Sequence, residues 1–128
     1  MATGLTSYGA NKTLDAMGNN VSFAVAQGYV KLHIGSPGAA GTTNAAAETT
    51  RKACGFASAA SGSMVSDAQM QWAVITGSET ATHFSFWDDV AAGNCLFTGV
   101  ITPSVPYLAG QTVTVAIGAC TVSLTLAS

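Results

Sequence analysis

Short runs of alternating apolar and polar residues dominate the chain, and this alternation is typical of β-strands that bury one face. The clearest runs lie within residues 28–34, 69–75, 111–117 and 121–126. Their apolar faces are formed by Val30, Leu32 and Ile34; by Met70, Trp72 and Val74; by Val113, Val115 and Ile117; and by Val122, Leu124 and Leu126. The pattern predicts several short strands whose apolar faces meet in a core.

The stretch 81–101 carries the strongest signal, because two runs of aromatic and β-branched residues flank the short loop 89–94. This arrangement is typical of a β-hairpin. Phe84 and Phe86 share one face of the first run, and Trp87 lies on the other. Large apolar groups on both faces favour a strand covered on two sides. We therefore expect this hairpin to form the centre of the sheet.

The remaining segments are less regular. Residues 50–57 predict another strand, and residues 35–47 are too rich in glycine, alanine and threonine to predict anything but a loop. Residues 102–107 contain Pro103 and Pro106 and predict an extended connector that cannot pair fully.

One helix is predicted near the N-terminus. Tyr8, Leu14 and Met17 recur at roughly helical spacing after the candidate N-cap Ser7. The sequence Gly-Asn-Asn at 18–20 then ends the helix. A helix of this length is marginal on its own, so it must dock on its own sheet or on a neighbour. We expect residues 1–6 to form an extended arm that gains order by lying on a partner.

Together these elements predict a mainly β fold, an antiparallel β-sandwich of about seven short strands with one short N-terminal helix. We expect a single domain over residues 1–128, in which residues 1–17 form the arm and the helix. The predicted core residues are Val30, Leu32, Trp72, Phe84, Phe86, Trp87, Leu96, Phe97, Val113, Val115 and Leu124.

Charge is unusually scarce. Only 8% of the residues are charged, against about 25% in an ordinary soluble domain. Since depleted charge is typical of interface cores, we favour a surface covered by partners or sister subunits over that of a free monomer rich in serine and threonine. The net charge is −2, and the few basic residues are scattered. This excludes a nucleic-acid groove and an electrostatic membrane surface as expectations.

Three cysteines, Cys54, Cys95 and Cys120, form no CxxC pair, so we expect buried thiols and neither a disulfide framework nor a zinc site. The N-terminus lacks the pattern of a signal peptide, and no apolar run approaches the roughly 20 residues of a membrane span. We therefore expect assembly in a reducing cytoplasm.

Candidate catalytic groups are poorly placed. Asp88 and Asp89 are adjacent in a strand end and point to opposite faces, so they suit turn formation better than acid–base chemistry. His33 and His83 have no carboxylate at useful spacing and are expected to be satisfied, partly buried histidines. No nucleophile elbow, phosphate loop or metal motif is present. We expect neither an enzyme nor a cofactor or metal. The aromatic residues could line a sugar-binding face but are more often core.

Three groups of residues together resemble a family of small tailed-phage virion proteins. The first contains Tyr8, Asn11, Lys12, Leu14 and Asp15, and the second is the strand 29–34 with its Ser-Pro-Gly loop. The third runs from Thr82-His83-Phe84 through Trp87-Asp88 to Gly93-Asn94-Cys95-Leu96 and Gly99. A Gly-x-Thr-Val strand, matched by residues 110–113, completes the resemblance. Such proteins are often labelled tail fibre proteins, with capsid decoration and minor capsid proteins among their relatives.

The resemblance implies a virion structural protein that is assembled in the host cytoplasm. We expect first an oligomeric capsid decoration or minor capsid protein on the outside of the head. The alternative is a small tail or tail-fibre component contacting the host surface, and a second alternative is a carbohydrate-binding β-sandwich module. Expected partners are copies of itself, major capsid or tail proteins, and host surface glycans. The expected interface residues are Leu5, Tyr8, Asn11, Lys12 and Asp15.

Overall fold

The computed structural model describes residues 3–127, so Met1, Ala2 and Ser128 lie outside it. Within the described range it contains one helix and eight strands. These elements are α1 (Ser7–Gly18), β1 (Tyr29–His33), β2 (Lys52–Ala53), β3 (Ser63–Val65), β4 (Met70–Trp72), β5 (Glu79–Trp87), β6 (Cys95–Tyr107), β7 (Val113–Val115) and β8 (Cys120–Ser123).

Six strands form one sheet in the order β2-β1-β5-β6-β8-β3, and β4 pairs with β7 in a second sheet. Every pairing is antiparallel. Buried residues of both sheets join one hydrophobic core, which gives a sandwich-like arrangement. The predicted mainly β, antiparallel fold with one N-terminal helix is therefore confirmed.

The hairpin β5–β6 lies in the middle of the larger sheet, as expected. Phe86 pairs with Phe97, and their rings stack with centroids 4.6 Å apart. Phe84 pairs with Gly99, where an added Cβ would lie 2.6 Å from the Phe84 ring and 2.1 Å from the Thr121 carbonyl oxygen. Only glycine at this position lets the Phe84 ring lie across β6 while β8 pairs closely on the other side.

The core lies between the two sheets. The smaller sheet contributes Met70, Trp72, Val113 and Val115, all buried. The Trp72 indole Nε1 donates to the Thr50 carbonyl oxygen at 3.0 Å, so burial of the ring leaves no polar atom unpaired. The other buried residues among the predicted core positions are Val30, Leu32, Phe84, Phe86, Trp87, Leu96 and Phe97.

The expectation for Leu124 is wrong, because this side chain is 46% exposed. β8 ends at Ser123, beside the edge strand β3, so the alternation that buries Val122 does not carry Leu124 over the core. Ile34, Val74 and Ile117 are exposed for the same reason, since each lies one or two residues beyond the end of its strand.

Two segments pair differently from the sequence expectation. Residues 102–107 continue β6 and pair with β5, with Thr80 opposite Pro106. Prolines fit there because, among residues 3–127, no strand pairs with the other side of β6 beyond Thr102, so no ladder donor is missed. The strand expected over residues 50–57 is reduced to Lys52–Ala53.

Candidate functional site

The N-terminal segment docks on its own sheet. The Thr98 backbone N–H donates to the Gly4 carbonyl oxygen at 2.8 Å, and the Thr6 N–H donates to the Leu96 carbonyl oxygen at 3.1 Å. Leu5 forms an isolated antiparallel bridge with Phe97 between these bonds. The segment is extended as expected, but the expectation that it gains order on a partner is wrong for residues 3–6, because they fill an open backbone edge of β6 in their own chain. Residues 1–2 of that arm lie outside the described residues.

The N-cap of helix α1 lies one residue earlier than expected. Thr6, not Ser7, is the N-cap, and its Oγ1 accepts from the Gly9 N–H at 3.1 Å. The same hydroxyl donates to the Cys95 carbonyl oxygen at 2.6 Å, which ties the cap to β6. Gly9 faces the Leu96 backbone so closely that a Cβ there would lie 2.1 Å from the carbonyl oxygen. One threonine and one glycine thus hold the helix on the sheet.

The C-terminal half of α1 exposes two large apolar side chains. Leu14 is 62% exposed and Met17 is 72% exposed, and these residues are neighbours on the helix surface. Val21, three residues after the last residue of the helix, is also exposed. We call Leu14, Met17 and Val21 the helix strip. Residues 3–127 leave Leu14 and Met17 mostly uncovered and Val21 partly uncovered.

The five expected interface residues differ in their burial. Leu5 and Tyr8 pack against the core, so they dock the helix on its own sheet. Asn11 is exposed, and Lys12 and Asp15 are partly buried. The Lys12 ammonium lies 5.5 Å from the centroid of the Tyr8 ring.

Arg51 organises the β5–β6 loop, a role that sequence reasoning missed. Its guanidinium stacks on the Trp87 ring at 4.0 Å from the centroid. Its Nη1 donates to the carbonyl oxygens of Asp89 and Ala92 at 2.8 and 2.7 Å. Arg51 and this loop are far apart in sequence, so only pairing of β1 with both β2 and β5 brings them together.

The two loop aspartates are held by backbone donors. Asp88 Oδ1 accepts from the Asn94 N–H at 2.7 Å. Asp89 Oδ1 accepts from the N–H groups of Ala91 and Ala92 at 2.9 and 3.1 Å. These two bonds lower the pKa of the Asp89 carboxyl below its ordinary value, so this exposed side chain stays ionised.

A buried hydrogen-bond relay joins three strand residues to the loop 35–47. His33 Nδ1 lies 2.8 Å from the Thr43 carbonyl oxygen, and Nε2 lies 2.8 Å from Ser85 Oγ. Trp87 Nε1 donates to the same Oγ at 2.7 Å. A carbonyl can only accept, so Nδ1 carries the hydrogen and neutral Nε2 accepts from the Ser85 hydroxyl.

This His33–Ser85 pair is sealed from solvent, since both residues are fully buried. Burial lowers the pKa of His33 below its ordinary value; the Thr43 hydrogen bond opposes the shift, and the nearby charges of Lys31 and His83 reinforce it. His83 is partly buried, and its Nδ1 lies 2.8 Å from Thr82 Oγ1.

The cysteines are buried thiols. Burial raises the pKa of Cys95 to about 11 and that of Cys120 to about 12, so neither is a thiolate near neutral pH. Burial also raises the pKa of Cys54.

Among residues 3–127, Glu48 is a buried carboxylate, and its oxygens accept hydrogen bonds from the backbone of its own chain. Burial alone would raise its pKa, but bonds from Thr50 and Thr76 outweigh this effect and leave the pKa below its ordinary value. The Thr76 N–H donates to Oε1 at 2.9 Å, which joins residues 48 and 76.

Residues 3–127 contain no group of three or more His, Cys, Asp or Glu side chains able to hold a metal ion. In the same range, no helix has the length and apolar character needed to cross a bilayer.

Residues 4–123 match a family described as podophage GP4 fiber I protein gp80. No curated protein matches the chain.

Proposed function

Because the chain belongs to the podophage GP4 fiber I protein gp80 family, we propose that it is a subunit of a phage tail fibre. The expected resemblance to a phage virion protein family is confirmed, and the chain is a phage virion structural protein. The observation that carries the proposal is the match itself, which extends over residues 4–123 of the 128. The description of this family names a fibre, so we now favour a location on the tail. The sequence alone favoured a location on the head.

The proposed role is non-enzymatic. Among residues 3–127, the histidine–serine pair within hydrogen-bond distance is His33 and Ser85, and both side chains are completely buried, so no substrate reaches them. The aspartates of the β5–β6 loop accept hydrogen bonds from the loop's own backbone. These observations support a scaffold in which polar side chains stabilise turns and loops.

We propose further that the subunit assembles with copies of itself through the helix strip. Leu14 and Met17 on α1 and Val21 shortly after it are exposed large apolar side chains, and a contiguous surface of this kind is typical of one that a partner covers. The scarcity of charge, 8% of residues, supports the same conclusion because ionised side chains are depleted in interface cores. Tail proteins of the virion are the proposed second partner.

A capsid decoration or minor capsid protein is the second candidate. The same strip supports it, since a decoration oligomer also needs an apolar contact between subunits. It is less favoured because the N-terminal segment at residues 3–6 already lies on its own β6 and is not free to reach a shell.

Immunogold labelling of intact virions, followed by cryo-electron microscopy, tests the location. We expect label on the tail fibres, whereas label on the head would replace the tail proposal with the decoration candidate. Absence from purified virions would overturn both.

Light scattering tests the assembly surface. We expect the purified protein to be an oligomer that the double variant Leu14→Ser with Met17→Ser converts to a monomer. The matched control replaces Leu108 and Ile117 by serine; these residues are 62% and 68% exposed but lie outside α1, so the oligomer should persist. A monomeric wild-type protein at high concentration would contradict the proposal.

A further inference from the structure

An apolar hollow of about 190 Å³ opens between α1, the N-terminal segment, the loop before β3 and the end of β8. Its most buried lining residues, Phe97 and Val122, belong to the hydrophobic core. We call it the α1 hollow, and the residues that define it are Leu5, Thr13, Ala59, Met64, Phe97 and Val122.

The hydroxyl groups that line the α1 hollow are already used within the chain. Thr13 Oγ1 donates to the Gly9 carbonyl oxygen at 2.8 Å, and Ser63 Oγ donates to the Val122 carbonyl oxygen at 3.1 Å. Ser123 Oγ lies 3.0 Å from Ser63 Oγ. Among residues 3–127, no charged side chain lines the hollow. A polar or charged occupant would lose its hydrogen bonds to water without replacement, so the hollow suits an apolar group.

The size of the hollow matches one large side chain. A dry apolar cavity of about 150 Å³ holds one benzene molecule, and the α1 hollow measures about 190 Å³. A whole helix or strand does not fit into such a volume, whereas a leucine, methionine or phenylalanine side chain does. Methionine is well suited because its unbranched thioether chain adapts to irregular gaps.

The chain exposes such a side chain beside the hollow. Gly9, Thr13 and Met17 succeed one another at intervals of four residues, so they lie along one face of α1. Gly9 faces β6, Thr13 lines the hollow, and Met17 lies one turn further along. Met17 is 72% exposed and does not line the hollow of its own chain. The helix strip and the α1 hollow are therefore neighbouring parts of one surface.

This surface is complementary to itself. It carries a protruding apolar side chain and an apolar hole, so in a closed ring of copies each copy can fill the hollow of the next. Leu124, which lines the hollow, and Leu126, which lies beside Gly62 of the lining, add further exposed apolar area. The helix strip brings no ionised group into the hollow, so a second copy covers it without burying an unpaired charge.

We propose that the α1 hollow receives the Met17 side chain of a second copy of this chain. The inference rests on the proposed assembly through the helix strip and names the contact by which the strip acts. Each copy then supplies one methionine and one hollow, and the rest of the strip packs around this central contact.

Analytical ultracentrifugation of the full chain over a concentration series tests the hollow. Ala59→Phe fills it from within its own chain, and Met17→Ala removes the side chain that enters it. The matched control is Ala57→Phe, which adds the same ring at an exposed alanine of the same segment outside the lining. Thermal melts establish that each variant is folded.

We expect Ala59→Phe and Met17→Ala each to weaken association by about tenfold or more, as for a contact at the centre of an interface. The double variant should associate about as weakly as either single variant, because both changes remove the same contact. Ala57→Phe should associate as wild type does, and Met17→Leu should retain most of the affinity because it keeps an apolar side chain of similar volume.

Cross-linking tests the contact directly and does not depend on Ala59→Phe folding. A tagged Met17→Cys chain is mixed with an untagged Ala59→Cys chain and treated with a short bis-maleimide. We expect a linked pair of one tagged and one untagged chain, and little of it when Ala57→Cys replaces Ala59→Cys. The native cysteines Cys54, Cys95 and Cys120 are buried, so they should not react.

Unchanged association of a folded Ala59→Phe variant, or equal cross-linking at positions 57 and 59, would overturn the inference. Loss of stability without loss of association in Ala59→Phe would assign the hollow to a group of the same chain. A bound apolar small molecule in native mass spectra would assign it to that ligand.

These results are separable from the proposed function. An oligomer that persists in Ala59→Phe but dissociates in the double variant Leu14→Ser with Met17→Ser would remove the hollow and leave the helix strip as the assembly surface. A monomeric wild-type protein would remove both, and the virion labelling would still decide the fibre role.

Discussion

Replacing Gly9 by alanine tests the docking of α1 on the sheet, because two effects of opposite sign compete at this residue. Alanine is a better helix former than glycine by about 1 kcal/mol, so local propensity predicts a more stable protein. In the folded chain, however, the new Cβ would lie 2.1 Å from the Leu96 carbonyl oxygen, which is backbone and cannot rotate away. Tertiary packing therefore predicts the opposite result.

The size of the loss follows from the movement that the clash demands. An ordinary contact needs at least 3.4 Å, so the helix must retreat by about 1 Å, and overpacking of this kind costs about 1–3 kcal/mol. A retreat of that size also lengthens the bonds from Thr6 to the carbonyl oxygens of Cys95 and Leu96, now 2.6 and 3.1 Å. Each lost bond costs about 1 kcal/mol. After the gain in propensity, we expect a net destabilisation of about 2–4 kcal/mol.

Urea unfolding followed by tryptophan fluorescence measures this change, since Trp72 and Trp87 are both buried and report on the core. The matched control is Gly18→Ala at the other end of the same helix, where nothing lies within 4 Å of the new Cβ. It should be neutral or stabilising by up to about 1 kcal/mol. Hydrogen exchange should show that the loss of protection in Gly9→Ala is concentrated in α1 and its contacts with β6. Equal stability of Gly9→Ala and wild type, or an equal loss in both variants, would refute the reasoning.

Two further predictions concern the buried relay and the β5–β6 loop. Burial holds the pKa of His33 in the folded chain below its unfolded value of about 6.5. Between these two pKa values His33 is protonated in the unfolded chain and neutral in the folded chain. Stability is therefore full above about pH 6.5 and falls as the pH drops toward the folded pKa. Urea midpoints between about pH 8 and 5 measure this slope, and it should persist in His83→Gln and disappear in a folded His33→Gln variant; an unchanged slope in the latter would assign it to another group. Arg51→Lys should lower stability by about 1 kcal/mol or more, because the lysine ammonium is not planar and cannot stack on Trp87 while donating to both loop carbonyl oxygens. Faster amide exchange at residues 88–94 should accompany the loss of stability. Unaltered exchange there would show that the hydrogen bonds from Arg51 are not needed to order the loop.

The strands of the sheet were predictable where alternation and aromatic content agree. The hairpin β5–β6 and the strands around Val30, Trp72 and Val113 follow from patterns spanning only a few residues, and local patterns are visible in a sequence. The ends of strands were not predictable in the same way. The alternation continues through Leu124 and Ile117, but both side chains are exposed because the covering layer ends before them.

The N-terminal segment illustrates the same limit. Its composition indicated an extended arm, and the chain is extended there, but its partner is β6 of its own chain. The two prolines of residues 102–107 indicated a connector, whereas the segment pairs with β5 because its other side needs no donor. Which backbone edge remains open depends on the order of strands in the sheet, which no short stretch of sequence specifies.

By itself the sequence determined the class of this protein: an antiparallel β structure with a short N-terminal helix, poor in charge, and a member of a phage virion family. These properties depend on the kind and spacing of neighbouring residues. Tertiary structure alone decided which apolar side chains stay uncovered, that Arg51 clamps a loop distant in sequence, and that Thr13, Ala59 and Val122 line one hollow. The physical reason is that burial and contact are set by strand order and by the extent of the opposing layer, so they arise from pairings between residues far apart in the chain.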